Sequence, residues 1–251
     1  MRIAVIGATG TAGSRTVARL SDRDVDVVEV SRSHGADLVT GEGLTDALRE
    51  VDVVVDASNP SPPDDTMSLH EALTTATANL VRACSSQGVA RLVFLSISGI
   101  EKPLFDAVPY YVGKRGQEEA LRTSPLRTTV LKTTQWHEFA TNPAAVTFDD
   151  DEVVVQDWLI QPVAVGTVAD VLVELAVSGA PESVRTIAGP EVIRLPELTS
   201  RLLTHLGDPR PVRSVAPAVP ALAEGALLAP ANATVLGPTV DGWLETVDRS
   251  A

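Results

Sequence analysis

Residues 1–13 read MRIAVIGATGTAG, and this stretch decides the fold. Ile3–Ile6 is a short apolar run rich in β-branched residues. That is the pattern of a strand buried on both faces at the centre of a parallel sheet. Gly7, Gly10 and Gly13 follow as G-x-x-G-x-x-G, and Thr16–Leu20 continues at helical spacing. Strand, glycine-rich turn and helix in that order is the setting a dinucleotide-binding fingerprint requires. The glycines let the chain turn sharply and let a diphosphate come close to the backbone. The helix behind them opens with free N–H groups and the positive end of its dipole. Gly7, Thr9, Gly10, Thr11, Ala12 and Gly13 are therefore the expected cofactor-binding residues of this turn.

Val25–Val30 reads as a second strand, and its end decides which dinucleotide is held. An acid there binds a ribose 2′-OH, whereas a cation accommodates a 2′-phosphate about 20 residues past the glycines. Ser31-Arg32-Ser33 stands at that place, with Glu29 still inside the strand. NADP(H) is thus favoured over NAD(H), with Ser31, Arg32 and Ser33 as contacts. Asp37–Val39 predicts a weak third strand, Gly43–Glu50 a short helix, and Val51–Asp56 a buried fourth strand. Ligands of doubly wound sheets lie past the carboxyl ends of strands. Ala57, Ser58 and Asn59 are expected on the ribose side, before a segment stiffened by Pro60, Pro62 and Pro63. Asp64 and Asp65 are expected to cap a long helix that Gly88 stops near Gln87.

Arg91–Ser96 predicts a fifth strand whose end delivers Ser96 and Ser98 to the same mouth. Pro109 opens the next helix, PYYVGKRGQEEAL. Tyr110 and Lys114 are four residues apart and share one helix face. A phenol made more acidic by a nearby ammonium is able to protonate a carbonyl oxygen during hydride transfer. A serine at the preceding strand end is able to orient that carbonyl, and spacing alone does not choose between Ser96 and Ser98. Thr128–Lys132 is a sixth strand, followed by TTQWHEF from Thr133. That polar and aromatic cluster suits a nicotinamide and substrate wall. It suits equally a capped helix start with Trp136 and Phe139 in the core. Short strands at Val153–Val155 and within Trp158–Val165, a helix over Thr167–Val177, a strand at Arg185–Ala188 and a helix over Leu195–Leu206 complete the reading.

Composition bounds the function. The 251 residues are 44% hydrophobic and 21% charged, as in a globular α/β domain. A net charge of −13 disfavours nucleic acid and anionic membranes as partners. No apolar run reaches membrane-spanning length and no basic-then-apolar leader precedes the first strand, so a cytoplasmic protein is expected; whether it is a monomer or a homodimer stays open. Cys84 has no cysteine to pair with and reads as a small core residue. The histidines are isolated and show no metal-ligand spacing. Neither a G-x-S-x-G elbow nor a Walker phosphate loop occurs. Arginine supplies nearly all the cations; the lysines are Lys102, Lys114 and Lys132.

The chain resembles the atypical short-chain dehydrogenase/reductases of the NmrA-like NAD(P)-binding group. The matching motifs are GATGTAG at Gly7–Gly13, SRS at Ser31–Ser33, YYVGKRGQEEAL from Tyr110, TTQWHEF from Thr133 and QPVAVGTVADVLVELA from Gln161. The resemblance implies one Rossmann-type NAD(P)-binding domain over residues 1–251, a doubly wound parallel sheet. A small C-terminal substrate-binding lobe would come from about residue 143 onward. It also implies a small-molecule substrate. Lys114 matches the family's helix lysine, which binds the nicotinamide ribose or assists proton transfer, and Tyr110 matches the first tyrosine of Y-Y-x-x-K. Thr133, Thr134 and Gln135 are carried over as cofactor contacts. The chain departs from the broader superfamily where an alanine–glycine pair is usual and Ala57-Ser58-Asn59-Pro60 stands instead. The leading expectation is an NADP-dependent oxidoreductase that reduces a quinone, enone or ketone. The alternatives are a non-redox dehydratase, epimerase or cyclase, and an NAD(P) sensor without turnover.

Overall fold

The computed structural model describes residues 1–178 and 182–249. The chain divides into two compact units, residues 1–132 with 168–185, and residues 133–167 with 186–251. The first unit opens with β1 (Arg2–Ile6), α1 (Thr11–Ser21), β2 (Asp26–Val30), α2 (Leu44–Ala47), β3 (Val53–Asp56), α3 (Leu69–Gln87), β4 (Arg91–Ile97) and α4 (Pro109–Arg122). Then come β5 (Thr128–Thr133), β6 (Val146–Phe148), β7 (Val153–Gln156), β8 (Leu159–Ile160), α5 (Val165–Ser178) and β9 (Val184–Ala188). The chain closes with β10 (Ile193–Arg194), α6 (Leu195–Leu206), β11 (Val212–Val215), β12 (Thr234–Val235) and α7 (Val240–Leu244).

The main sheet is parallel, seven-stranded and ordered β12-β9-β5-β4-β3-β1-β2. Burial explains the place of β1. Ile3, Ala4 and Val5 are fully enclosed, and each pairs on both sides, Ile3 with Val27 and with Val53. From β1 the chain steps outward to β2, then returns to the other side for β3 and β4. The order therefore reverses between β1 and β3. At such a switch point the loops leave the carboxyl ends in opposite directions and open a crevice. The tips bordering it are Gly7, after β1, and Asp56 to Ser58, at the end of β3. One face of these strands packs with α3 and α4 into a core that includes Ala4, Ile6, Val54, Leu80, Cys84, Leu92, Phe94 and Leu121.

The strand expected over Asp37–Val39 does not form, which leaves β2 at the sheet edge. The Asp37 carboxylate accepts the N–H groups of Val39 and Thr40, at 2.7 and 3.0 Å, and folds the segment into a turn. The Asn79 side-chain amide donates to the carbonyls of Leu38 and Val39, both at 2.9 Å. Backbone groups that a ladder would satisfy are satisfied by two side chains. The expected capping of α3 by Asp64 or Asp65 also fails. Ser68 caps the helix and forms a capping box with Glu71, while Asp64 accepts the Thr66 N–H and hydroxyl upstream. Gly88 ends the helix as expected.

In the second unit β11, β7 and β6 form a three-stranded sheet, and β10 pairs antiparallel with β8. Helix α6 buries Leu195, Leu198, Thr199, Leu202 and Leu203 along one face. No helix among the described residues is long and apolar enough to cross a membrane.

Leu80 lies in the centre of α3 and is fully enclosed, whereas Leu104 is 44% exposed. Denaturant unfolding is expected to show Leu80→Ala losing about 2–5 kcal/mol and Leu104→Ala staying within about 0.5 kcal/mol of the parent. Equal losses would contradict this assignment of the core.

Candidate functional site

The glycine turn is built by contact. Gly7 has φ +76°, and a Cβ on it would lie 2.9 Å from the Ser58 Cα. Gly13, in the first turn of α1, comes closer still: a Cβ there would sit 2.0 Å from the Gly7 carbonyl oxygen. Only glycine permits the helix to press so tightly on the strand tip. The Gly7 N–H donates to the Val30 carbonyl at 2.9 Å, which fixes the turn beside the end of β2. Gly10 caps α1 without a side-chain hydrogen bond, and the first turn carries no acid. The N–H groups of Thr11, Ala12 and Gly13 therefore have no partner within the helix. Uncapped donors, the positive dipole end and two glycines that admit close approach fit a diphosphate.

At the end of β2, Arg32–His34 form a short 3-10 turn. The Ser31 hydroxyl contacts the Ser33 hydroxyl at 2.8 Å and His34 Nδ1 at 2.7 Å. Arg32 is exposed between the two serines. Glu29, the acid nearest this tip, faces His34 at 3.8 Å.

Across the crevice, Asp56 Oδ1 accepts the Ser58 N–H at 3.0 Å and its hydroxyl at 2.6 Å. This shapes the turn of Ala57, Ser58 and Asn59 that packs on Gly7. Asp56 is 2% exposed, and burial pushes its carboxyl above the usual range.

Helix α4 carries Tyr110, Lys114 and Glu118 at successive four-residue steps, one stripe along its length. Lys114 is 3% exposed. Its ammonium donates to the Leu95 carbonyl at 3.1 Å and lies 4.2 Å from the Phe94 ring centroid. Burial lowers it to about 8, against the opposing pull of Asp56 and Glu118. Tyr110 differs from expectation. Burial raises its phenol above the ordinary value, and the Lys114 amine is turned to the Leu95 carbonyl. Ser96 donates to Glu118 Oε1 at 2.5 Å, and Glu118 Oε2 holds Lys132 at 2.8 Å. Ser98 is 2% exposed beyond the end of β4.

Thr133, Thr134 and Gln135 belong to the second unit and are buried. The Thr134 hydroxyl donates to the Gln161 carbonyl at 2.6 Å, and Trp136 Nε1 donates to the Thr133 hydroxyl at 3.0 Å. Trp136 and Phe139 are half-buried, Phe139 against Trp158 with ring centroids 5.1 Å apart. His137 is fully enclosed and stacks on Trp243 at 5.0 Å, and burial lowers it to about 4. Cys84 is buried and pushed up to about 12, as a core thiol rather than a nucleophile. Among the described residues no group of His, Cys, Asp and Glu is placed to hold a metal.

The first unit thus brings together Gly7, Gly13 and Ser58, and separately Lys114 with the β4 backbone. The sequence reading missed Asp56, Glu118 and Lys132. Extending the Tyr110–Lys114 face by one helical turn reaches Glu118, and an aspartate closing the run VDVVVD was the sign of Asp56.

Comparison with known proteins bears on the family of the chain. The NAD(P)H-binding family model matches residues 7–178. The photosystem II assembly factor Ycf39 of Synechocystis sp. is 29% identical over 185 residues, covering 68% of this chain and 56% of that protein. Ycf39 of Cyanophora paradoxa is 30% identical over 146 residues, covering 53% and 44%. The chain spans about half the length of the curated relatives it matches. Among solved structures, UDP-glucose 4-epimerase of Thermus thermophilus in complex with NAD has a TM-score of 0.68 at 20% identity, covering 98% of this chain and 92% of that one. MoeE5 in complex with UDP-glucose and NAD has a TM-score of 0.71 at 21% identity, covering 98% and 97%. At such identities the likeness shows the shared Rossmann-like fold. A family match that runs from the glycine turn through α4 to the end of α5 takes in the whole switch point, and the chain belongs to the NAD(P)H-binding family.

Proposed function

We propose that the protein is an NADP(H)-dependent oxidoreductase that reduces a quinone, an enone or a ketone. The observation that carries this reading is the buried Lys114 amine, held on the β4 backbone and lowered by burial to about 8. A proton donor works best with a pKa close to the operating pH. The reduced nicotinamide, when bound, supplies hydride to the substrate. Lys114 holds a proton for the oxygen that gains charge, or steadies the ribose. Tyr110, one turn earlier on α4, is the second candidate donor. Ser98 is favoured over Ser96 for orienting the oxygen, because the Ser96 hydroxyl is committed to Glu118.

The uncapped first turn of α1 would hold the diphosphate through the Thr11, Ala12 and Gly13 N–H groups, with Thr9 and Gly10 alongside. Arg32, with Ser31 and Ser33, would bind the 2′-phosphate. Ala57, Ser58 and Asn59 would meet the ribose. Residues from about 143 onward are proposed as the substrate lobe. A second reading, dinucleotide binding without turnover, draws support from the curated relatives described as photosystem II assembly factors.

Steady-state kinetics with NADPH and a panel of quinones, enones and ketones separates the readings. Lys114→Met is expected to lower kcat by roughly 100-fold or more, and Tyr110→Phe by less than about tenfold. The donor must carry its proton, so kcat is expected to be level below about 8 and to fall as pH rises through it. NADPH binding with no turnover across the panel favours the second reading. Substrate conversion without net NADPH consumption points instead to non-redox chemistry.

Cofactor choice is tested independently by titration calorimetry. Arg32→Ala is expected to weaken NADPH binding by about 10–100-fold, the worth of a lost charge-assisted contact, and to leave NADH binding unchanged. Equal effects on both dinucleotides would remove Arg32 from the 2′-phosphate site.

A further inference from the structure

We propose that Asp56 is a positioning residue whose carboxylate balances the charge of the buried Lys114 ammonium across the core face both share with Phe94 and, through Ser58, links that lysine to the glycine turn. The inference deepens the function proposed above, since it rests on Lys114 as the group that meets cofactor or substrate.

A carboxylate is an expensive choice at the end of β3. Val53, Val54 and Val55 before it are buried, and Asp56 itself is 2% exposed. Its visible task is the turn, in which Oδ1 accepts the Ser58 N–H and hydroxyl. An asparagine oxygen closes such a turn as well, with no charge to desolvate. The charge therefore needs another partner, and the strand register supplies one. Asp56 stands opposite Phe94 on β4, just as Val54 stands opposite Leu92, and those two side chains share one core face. The Lys114 ammonium lies on the Phe94 ring of that same face. Cys84 of α3, in the same core, feels the Asp56 charge as well as its own burial. The other acid near the amine is Glu118, whose oxygens are engaged by Ser96 and by Lys132. Asp56 is thus the acid left to balance the buried ammonium.

At its other end the Asp56 turn meets the cofactor turn, where a Cβ on Gly7 would come within 2.9 Å of the Ser58 Cα. One carboxylate so links the backbone expected to face the diphosphate with the amine expected to face the chemistry. Asp56 itself acts through Lys114 and needs no contact with the reacting atoms.

The test reads Lys114 directly. The chain has three lysines, Lys102, Lys114 and Lys132, so carbon-13 lysine labelling of the full protein gives few signals, and Lys114→Met assigns the one in question. In the parent the Lys114 midpoint is expected at about 8. Asp56→Asn keeps the turn and removes the charge, and the midpoint is expected to drop by roughly one pH unit. Ser58→Ala weakens the turn and keeps the charge, and the midpoint is expected to stay in place. An unchanged midpoint in Asp56→Asn overturns the proposal, as does an equal drop in both variants. Should Asp56→Asn fail to fold, the reciprocal measurement decides. In Lys114→Met the Asp56 carboxyl, followed by carbon-13 aspartate labelling, is expected to titrate higher by a similar amount, and no change there overturns the proposal. NADPH binding is measured on the same samples. A chain that binds no dinucleotide defeats the function proposed above and leaves the Asp56–Lys114 result standing.

Discussion

The approach of α1 to the tip of β1 is the constraint on which the site depends. With 2.0 Å between the Gly7 carbonyl oxygen and the point where a Gly13 Cβ would be, no side chain fits and the helix start is fixed against the strand end. That contact does two things at once. It leaves the unpaired N–H groups of the first turn beyond the carboxyl end of β1, and it keeps the point of contact free of side chains. A larger residue at position 13 would have to push the helix away, so the geometry that favours an anion and the geometry that packs α1 are one geometry.

The reversal of strand order next to β1 then makes a site from that turn. Because β3 lies on the opposite side of β1 from β2, the loop after β3 turns back over Gly7 while the loop after β2 leads away to Arg32. The next strand, β4, contributes both backbone and side chain at the decisive point, since the Leu95 carbonyl receives Lys114 and the Phe94 ring lies against its ammonium. Helix α4 adds graded exposure along one stripe. Tyr110 is half-buried, Lys114 is enclosed, and Glu118 is tied into an ion pair with Lys132.

Local pattern was enough to read the parts of this fold that local pattern controls. Ile3–Ile6, the three glycines and Pro109 each act within a few residues, and each lies where periodicity or turn chemistry puts it. The segment Asp37–Val39 failed because the Asp37 carboxylate folds it into a turn and Asn79, about forty residues away, takes two carbonyls that a strand would have offered to a neighbour. The α3 cap failed for a different reason: Ser68 with Glu71 competes with Asp64 and Asp65 for the same role, and the reciprocal pair wins. The candidate residues were legible as residue types at strand ends, which is where the structure places Gly7, Ser31 and Ser58. The direction of the Lys114 amine was not, because a flexible four-carbon stem takes its direction from packing that no spacing rule encodes.

That direction carries an energetic cost that bears on function. A lysine lowered from 10.5 to about 8 by burial disfavours the folded state by about 3 kcal/mol wherever both folded and unfolded chains hold the proton, which means below about 8. The sign follows from the depressed value. As pH rises through 8 the folded chain releases its proton while the unfolded chain keeps its own, and stability recovers until 10.5 is reached. At neutral pH the full cost is therefore present. The Leu95 carbonyl and the Phe94 ring offset part of the desolvation, the ring by up to about 2 kcal/mol in a dry setting. A methionine would fill the same space beside Phe94 with no charge to bury and with a favourable sulfur–aromatic contact. Packing alone thus argues against lysine at position 114, and the amine role proposed above gives a reason for it to stand there.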